Sequence, residues 1–124
     1  MESSVLTFAQ CLELQRAGYR ANPCPDLAQR KSDLAALHRF LEENEAAIIQ
    51  AINADFGVRP ATETRLIELF PVRQGIRDTL GQLAKWMRPQ RRAVDQLVFP
   101  GASNRVIPQP LGVVGVMVPW NFPI

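Results

Sequence analysis

Near the carboxyl end of this chain one asparagine stands where chemistry is done in many folds. Asn121 follows the apolar run Val113-Val114-Gly115-Val116-Met117-Val118 and is held in Pro119-Trp120-Asn121-Phe122-Pro123, between two prolines. A short β-branched run bounded by Gly112 and Pro119 predicts a buried strand of the parallel-sheet kind. Open α/β sheets place ligands beyond the carboxyl ends of their strands, which is where Asn121 falls. Its amide is neutral and donates two hydrogens, which suits an oxyanion better than acid–base work. The commoner role of an Asn in a turn is structural, its side chain bonding neighbouring backbone, and the residues by themselves favour that reading.

The other reactive residue types are sparse. Cys24 lies between Pro23 and Pro25 ahead of a helix, where a thiol can be activated, but no His or Asn partner is near and a bystander thiol is expected. Cys11 and Cys24 match neither a metal spacing nor a disulfide framework. His38 is the single histidine, which makes neither a metal site nor a triad, so it is read as structural or solvent-facing and no metal site is expected. Lys85, Arg88, Arg91 and Arg92 surround Trp86, a combination that binds nucleic acid in some proteins. A helix carboxyl end gathers basic residues for its dipole, and the net charge is only +2, so no nucleic acid partner is expected.

The elements that must position these residues follow from pattern. With 124 residues, 47% apolar and 21% charged, the chain has the size and mix of one globular domain. Residues 73–105 carry seven basic groups against Asp78 and Asp95, so the charge is uneven. No apolar run reaches the roughly 20 residues of a membrane span, and Met-Glu-Ser-Ser-Val-Leu does not resemble a signal peptide; a cytoplasmic protein is expected. Residues 3–20 predict a first helix, with Ser3 or Ser4 as cap and Val5, Phe8, Ala9 and Leu12 on its stripe. Ala21 to Pro25 is a connector. Asp26 caps a long second helix whose stripe is Leu34, Leu37, Leu41, Ile48 and Ile52, widened by Phe40, Ala47 and Ala51 and stopped by Gly57. A third helix runs from about Ala61 to Met87, with Leu66, Phe70, Ile76, Leu80, Leu83 and Met87 on one face. Pro71 should kink or split it and Pro89 end it. Val98-Phe99 is a candidate short strand. The chain closes on Phe122-Pro123-Ile124, straight after its most apolar stretch, and the Val113–Val118 strand has no partners in this sequence; both features lead us to expect a piece of a longer protein.

Pro110-Leu111-Gly112-Val113-Val114-Gly115-Val116-Met117-Val118-Pro119-Trp120-Asn121-Phe122-Pro123 resembles the signature that opens the cofactor domain of NAD(P)-dependent aldehyde dehydrogenases. Ala54-Asp55-Phe56-Gly57, Thr62-Glu63-Thr64, Glu68-Leu69-Phe70-Pro71 and Trp86-Met87-Arg88-Pro89-Gln90-Arg91-Arg92 are most similar to the coniferyl aldehyde branch of that family. The likeness covers about residues 25–124 and turns the balance on Asn121 toward chemistry.

The resemblance implies a mostly α fragment, two or three long helices plus short C-terminal β-strands, belonging to an α/β fold. Residues 1–104 would be the helical region of the scaffold and residues 105–124 the start of the Rossmann-like cofactor sheet. It implies oxidation of an aldehyde to a carboxylate through a cysteine thioester, with hydride passing to NAD or NADP and a homo-oligomeric parent. Asn121 matches the family's oxyanion donor, and Pro119 and Trp120 match positions at the cofactor crevice. The family's nucleophilic cysteine, its glutamate base and its glycine-rich cofactor turn lie downstream of the Trp-Asn turn and match nothing here. The fragment alone is therefore expected to be inactive and to hold no cofactor tightly. The alternative is a stand-alone helical protein–protein interaction module.

Overall fold

Capping chemistry sets the helix starts. The computed structural model describes residues 6–124. Helix α1 spans Phe8–Ala21 and begins at a capping box: the Thr7 side chain accepts from the Gln10 N–H, and Thr7 N–H donates to Gln10 Oε1 at 2.8 Å. The expected caps Ser3 and Ser4, and Val5 of the stripe, lie outside the described residues. Helix α2, Leu27–Glu43, starts at Asp26, whose carboxylate accepts from the Gln29 N–H at 2.8 Å.

The single long second helix of the sequence reading is two helices. Asn44 ends α2 with φ −105° and ψ 10°, its side-chain amide donating to the Phe40 carbonyl at 2.8 Å, and α3 resumes over Glu45–Phe56. Asn competes with the helix for backbone partners. Across the two helices the buried residues are Leu41, Ile49 and Ile52, while Leu37 and Phe40 are exposed and Ile48 is only partly buried. Gly57 closes α3 at φ 76°, the left-handed conformation that a side chain would strain.

The third helical stretch is continuous from Ala61 to Trp86 but changes pitch. Helix α4 (Ala61–Glu63) passes into a π-helical segment, Thr64–Leu69, and then into α5, Phe70–Trp86. Pro71 has no N–H to offer the preceding turn. Ahead of it the Phe70 N–H bonds the Arg65 carbonyl, five residues back, and Pro71 sits in the first turn of α5 where proline fits. In an α-helix residues i and i+5 lie about 140° apart. The wider π turn brings Thr64, Glu68 and Leu69 to one buried face and leaves Leu66 and Phe70 exposed, against the stripe read from periodicity.

The described chain forms two compact units. In the unit of Asp26–Arg88 with Met117–Ile124, the core is Leu41, Ile49, Leu69 and Ile76, with Leu34, Val72, Leu80 and Ile124 packed on it. Charges tie its helices together: Arg73 reaches Glu42 at 2.6 Å and Glu45 at 3.2 Å, and Arg65 reaches Glu45 at 2.7 Å. Two of the basic groups counted in residues 73–105, Arg73 and Arg77, are thus paired to acids of α2 and α3.

The other unit holds residues up to Pro25 with Pro89–Val116. Its strands β1 (Gln90–Arg92) and β2 (Asn104–Val106) pair antiparallel, Arg91 opposite Arg105. Between them Val98-Phe99 is a turn, not a strand. The Asp95 carboxylate accepts from the Leu97 N–H at 2.9 Å and the Asp95 carbonyl accepts from the Phe99 N–H at 2.9 Å, bonds that curl the backbone. The predicted strand Val113–Val118 is likewise corrected: it makes no ladder among the described residues, and Val114, Val116 and Met117 are exposed. A strand exists only where neighbours take its N–H and C=O groups.

Candidate functional site

The Pro119–Pro123 turn is tied to the helical core at its backbone. Within it the Phe122 N–H donates to the Pro119 carbonyl at 3.0 Å. The tether is Arg59, in the connector between Gly57 and α4: its Nη1 donates to the Asn121 carbonyl at 2.8 Å. Phe56, Val58, Arg59, Glu63, Asn121 and Phe122 line a cleft of about 320 Å³. The Arg59 guanidinium lies 5.0 Å from the Phe56 ring centre and 5.8 Å from that of Phe122.

Arg59 is buried, and so is its ionic partner. Its Nη2 lies 3.0 Å from Glu68 Oε1, on the inward face of the π segment, and its Nε lies 3.4 Å from Glu63. The π pitch therefore shapes the site: it aims Glu68 at Arg59 and Leu69 into the core together. Asn121 and Trp120 are exposed, and the Asn121 side-chain amide makes no hydrogen bond among the described residues. The turn is closed by backbone and by Arg59, so the amide is not consumed in building it.

Sequence reasoning placed Pro119, Trp120 and Asn121 at this turn but missed Arg59 and Glu68. The signal available was weak: an arginine just after a helix stop and a glutamate on a helix, each an ordinary surface residue by type. Cys11 and Cys24 are free thiols in the other unit, Cys24 in a small hollow with Tyr19, Pro23, Gln109 and Pro110. His38 is partly buried on α2 with Nδ1 3.4 Å from Glu42. The Arg73 hydrogen bond, helped by the nearby charges of His38, Arg73 and Arg77, holds the Glu42 carboxyl below its ordinary value against the opposing effect of desolvation. Among the described residues no group of three or more His, Cys, Asp or Glu could hold a metal ion, and no helix is long and apolar enough to cross a membrane.

The sequence, compared with known proteins, places the chain in a family. The Aldehyde dehydrogenase family profile matches residues 12–124, and the chain is a member of that family. It is 50% identical over 110 residues, 89% of this chain and 23% of the relative, to a probable coniferyl aldehyde dehydrogenase of Pseudomonas aeruginosa. It is 43% identical over 99 residues to the coniferyl aldehyde dehydrogenase of Pseudomonas sp. strain HR199, covering 80% of this chain and 20% of that protein. With the aldehyde dehydrogenase family 3 member F1 of Arabidopsis thaliana the identity is 31% over 124 residues, all of this chain and 25% of that one. The chain thus spans a fifth to a quarter of the length of the curated relatives it matches. No solved structure matches it significantly.

Proposed function

We propose that this chain is the amino-terminal part of an NAD(P)-dependent aldehyde dehydrogenase, with coniferyl aldehyde as the candidate substrate. The names of the two Pseudomonas relatives support that substrate. In this reading residues 1–104 belong to the helical scaffold and residues 105–124 begin the cofactor sheet, completed by chain beyond these residues. The observation that carries the reading is the exposed turn in which Arg59 grips the Asn121 backbone and leaves the side-chain amide unengaged.

Asn121 is the oxyanion donor. When a thiolate from elsewhere in the enzyme adds to the aldehyde, negative charge grows on the carbonyl oxygen, and an amide N–H aimed there is favoured most at the transition state. Because the amide stays neutral, it donates without exchanging a proton. Trp120 and Pro119 fit one wall of a cofactor crevice: Trp120 is 89% exposed at the turn, leaving a planar face against which a dinucleotide can lie. The nicotinamide, when bound, supplies the hydride acceptor. The glycine-rich turn that would hold its phosphates is not in this sequence, so these residues orient one side of it only. A cytoplasmic homo-oligomer is part of the same proposal.

The test is Asn121→Ala in the intact enzyme. The rate of the chemical step should fall about 10²–10³-fold with little change in KM. Asn121→Asp should do no better, because a carboxylate has no donor and repels the developing charge. A near-normal kcat for Asn121→Ala, with only stability reduced, would end the assignment.

A further inference from the structure

Arg59 is an unusual residue to bury for stability alone. It is 7% exposed and its partner Glu68 is 2% exposed. A buried ion pair is commonly no more stabilising than apolar side chains of the same volume, unless its hydrogen bonds are well made. Here they are not: the Glu68 oxygens and Arg59 Nε have no aligned hydrogen-bond partner, although the charges lie within ion-pair reach. The well-aligned bond of this guanidinium runs instead to the Asn121 carbonyl, 62 residues further along the chain.

Two contacts of Arg59 fall on consecutive residues of the turn. It holds Asn121 by its carbonyl and stacks on Phe122 by its ring. On the carboxyl side Ile124 packs on the core. The Asn121 side chain, which has no bond of its own among the described residues, therefore takes its aim from a backbone fixed by Arg59.

We propose that Arg59 is a positioning residue: anchored by Glu68, it holds the Asn121 main chain so that the free amide points at the oxyanion site. The inference rests on the reading of Asn121 as oxyanion donor. Arginine suits the task because its rigid fork meets a carboxylate and a carbonyl at once while its faces stack on rings, and lysine offers a single point charge on a flexible stem.

Arg59→Lys in the intact aldehyde dehydrogenase tests it, because the variant keeps a positive charge beside Glu68 and loses the fork. The expected result is a fall in kcat of about 10–100-fold, the size of effect that misplacing a catalytic group by about 1 Å produces, with KM changed about twofold or less. The Phe122 amide, bonded within the turn, should exchange its hydrogen faster in the same variant. Should Arg59→Lys fail to fold, the double variant Arg59→Met with Glu68→Leu removes both buried charges and is read in the same way. Unchanged kcat overturns the proposal, as does a fall in kcat with Phe122 exchange unaltered, or a change confined to KM. Asn121→Ala run alongside separates the two ideas. If it leaves turnover intact, the oxyanion reading fails and takes this one with it. If it lowers turnover while the Arg59 variants do not, the positioning role alone is refuted.

Discussion

Leu69 and Leu66 lie three residues apart, and exchanging each for alanine decides whether the π segment sets the core register. Leu69 is 1% exposed against Leu41, Ile49 and Ile76, whereas Leu66 is 62% exposed. Leu69→Ala removes three buried carbons, about 2.4 kcal/mol at about 0.8 kcal/mol each. The cavity left beside a close-packed core adds to that, for a total of about 3–4 kcal/mol. Leu66→Ala gives up little buried area and should cost about 0.5 kcal/mol or less. In urea, with a slope of about 1–3 kcal/mol per molar for a small protein, Leu69→Ala should lower the unfolding midpoint by at least about 1 M at unchanged slope, and Leu66→Ala should barely move it. An α-helical register through residues 64–69 turns Leu66 inward and predicts the opposite ranking. Equal costs for the two, or a larger one for Leu66→Ala, would refute the π-shifted core.

Other outcomes rest on the charges and on the proposed chemistry. Glu68→Gln leaves the buried Arg59 cation without its closest counter-charge and should destabilise the fold by about 3 kcal/mol, while replacing both residues by apolar ones restores most of the loss; equal instability of single and double variants would contradict this. Glu42 has its carboxyl lowered in the folded state, chiefly by the Arg73 hydrogen bond. Its stabilisation is therefore complete above the ordinary carboxylate range and disappears as pH falls through the lowered value. Stability curves of the native chain and Glu42→Gln should separate toward neutrality and converge in acid, and parallel curves across that range would exclude the effect. The purified 124-residue chain should form no NADH from NAD and an aldehyde; measurable aldehyde-dependent NADH would show that it carries a nucleophile the proposed mechanism assigns to the rest of the enzyme.

What could be read from the sequence was local. Asp26 as a helix cap, Gly57 as a helix stop, the end of helix before Pro89 and the proline-bounded turn around Asn121 each depend on a residue and its near neighbours, and each stands in the structure as read. The aldehyde dehydrogenase likeness was equally legible, because the Val-Pro-Trp-Asn-Phe-Pro words are contiguous. Tertiary structure decided the rest. Periodicity assumes a constant pitch, so the π turn before Pro71 moved burial from Leu66 to Leu69, and in the helices before it packing buried Ile49 and left Leu37 exposed. A strand is a property of its neighbours, and the apolar run Val113–Val118 makes no ladder among the described residues. Nothing along the chain connects Arg59 to Asn121. Their bond exists because the π segment buries Glu68, the carboxylate draws the arginine inward, and the folded tail brings a carbonyl within reach of its remaining donors. Pattern along a chain records propensity and face, whereas contacts between residues 62 apart depend on where packing finally sets each element.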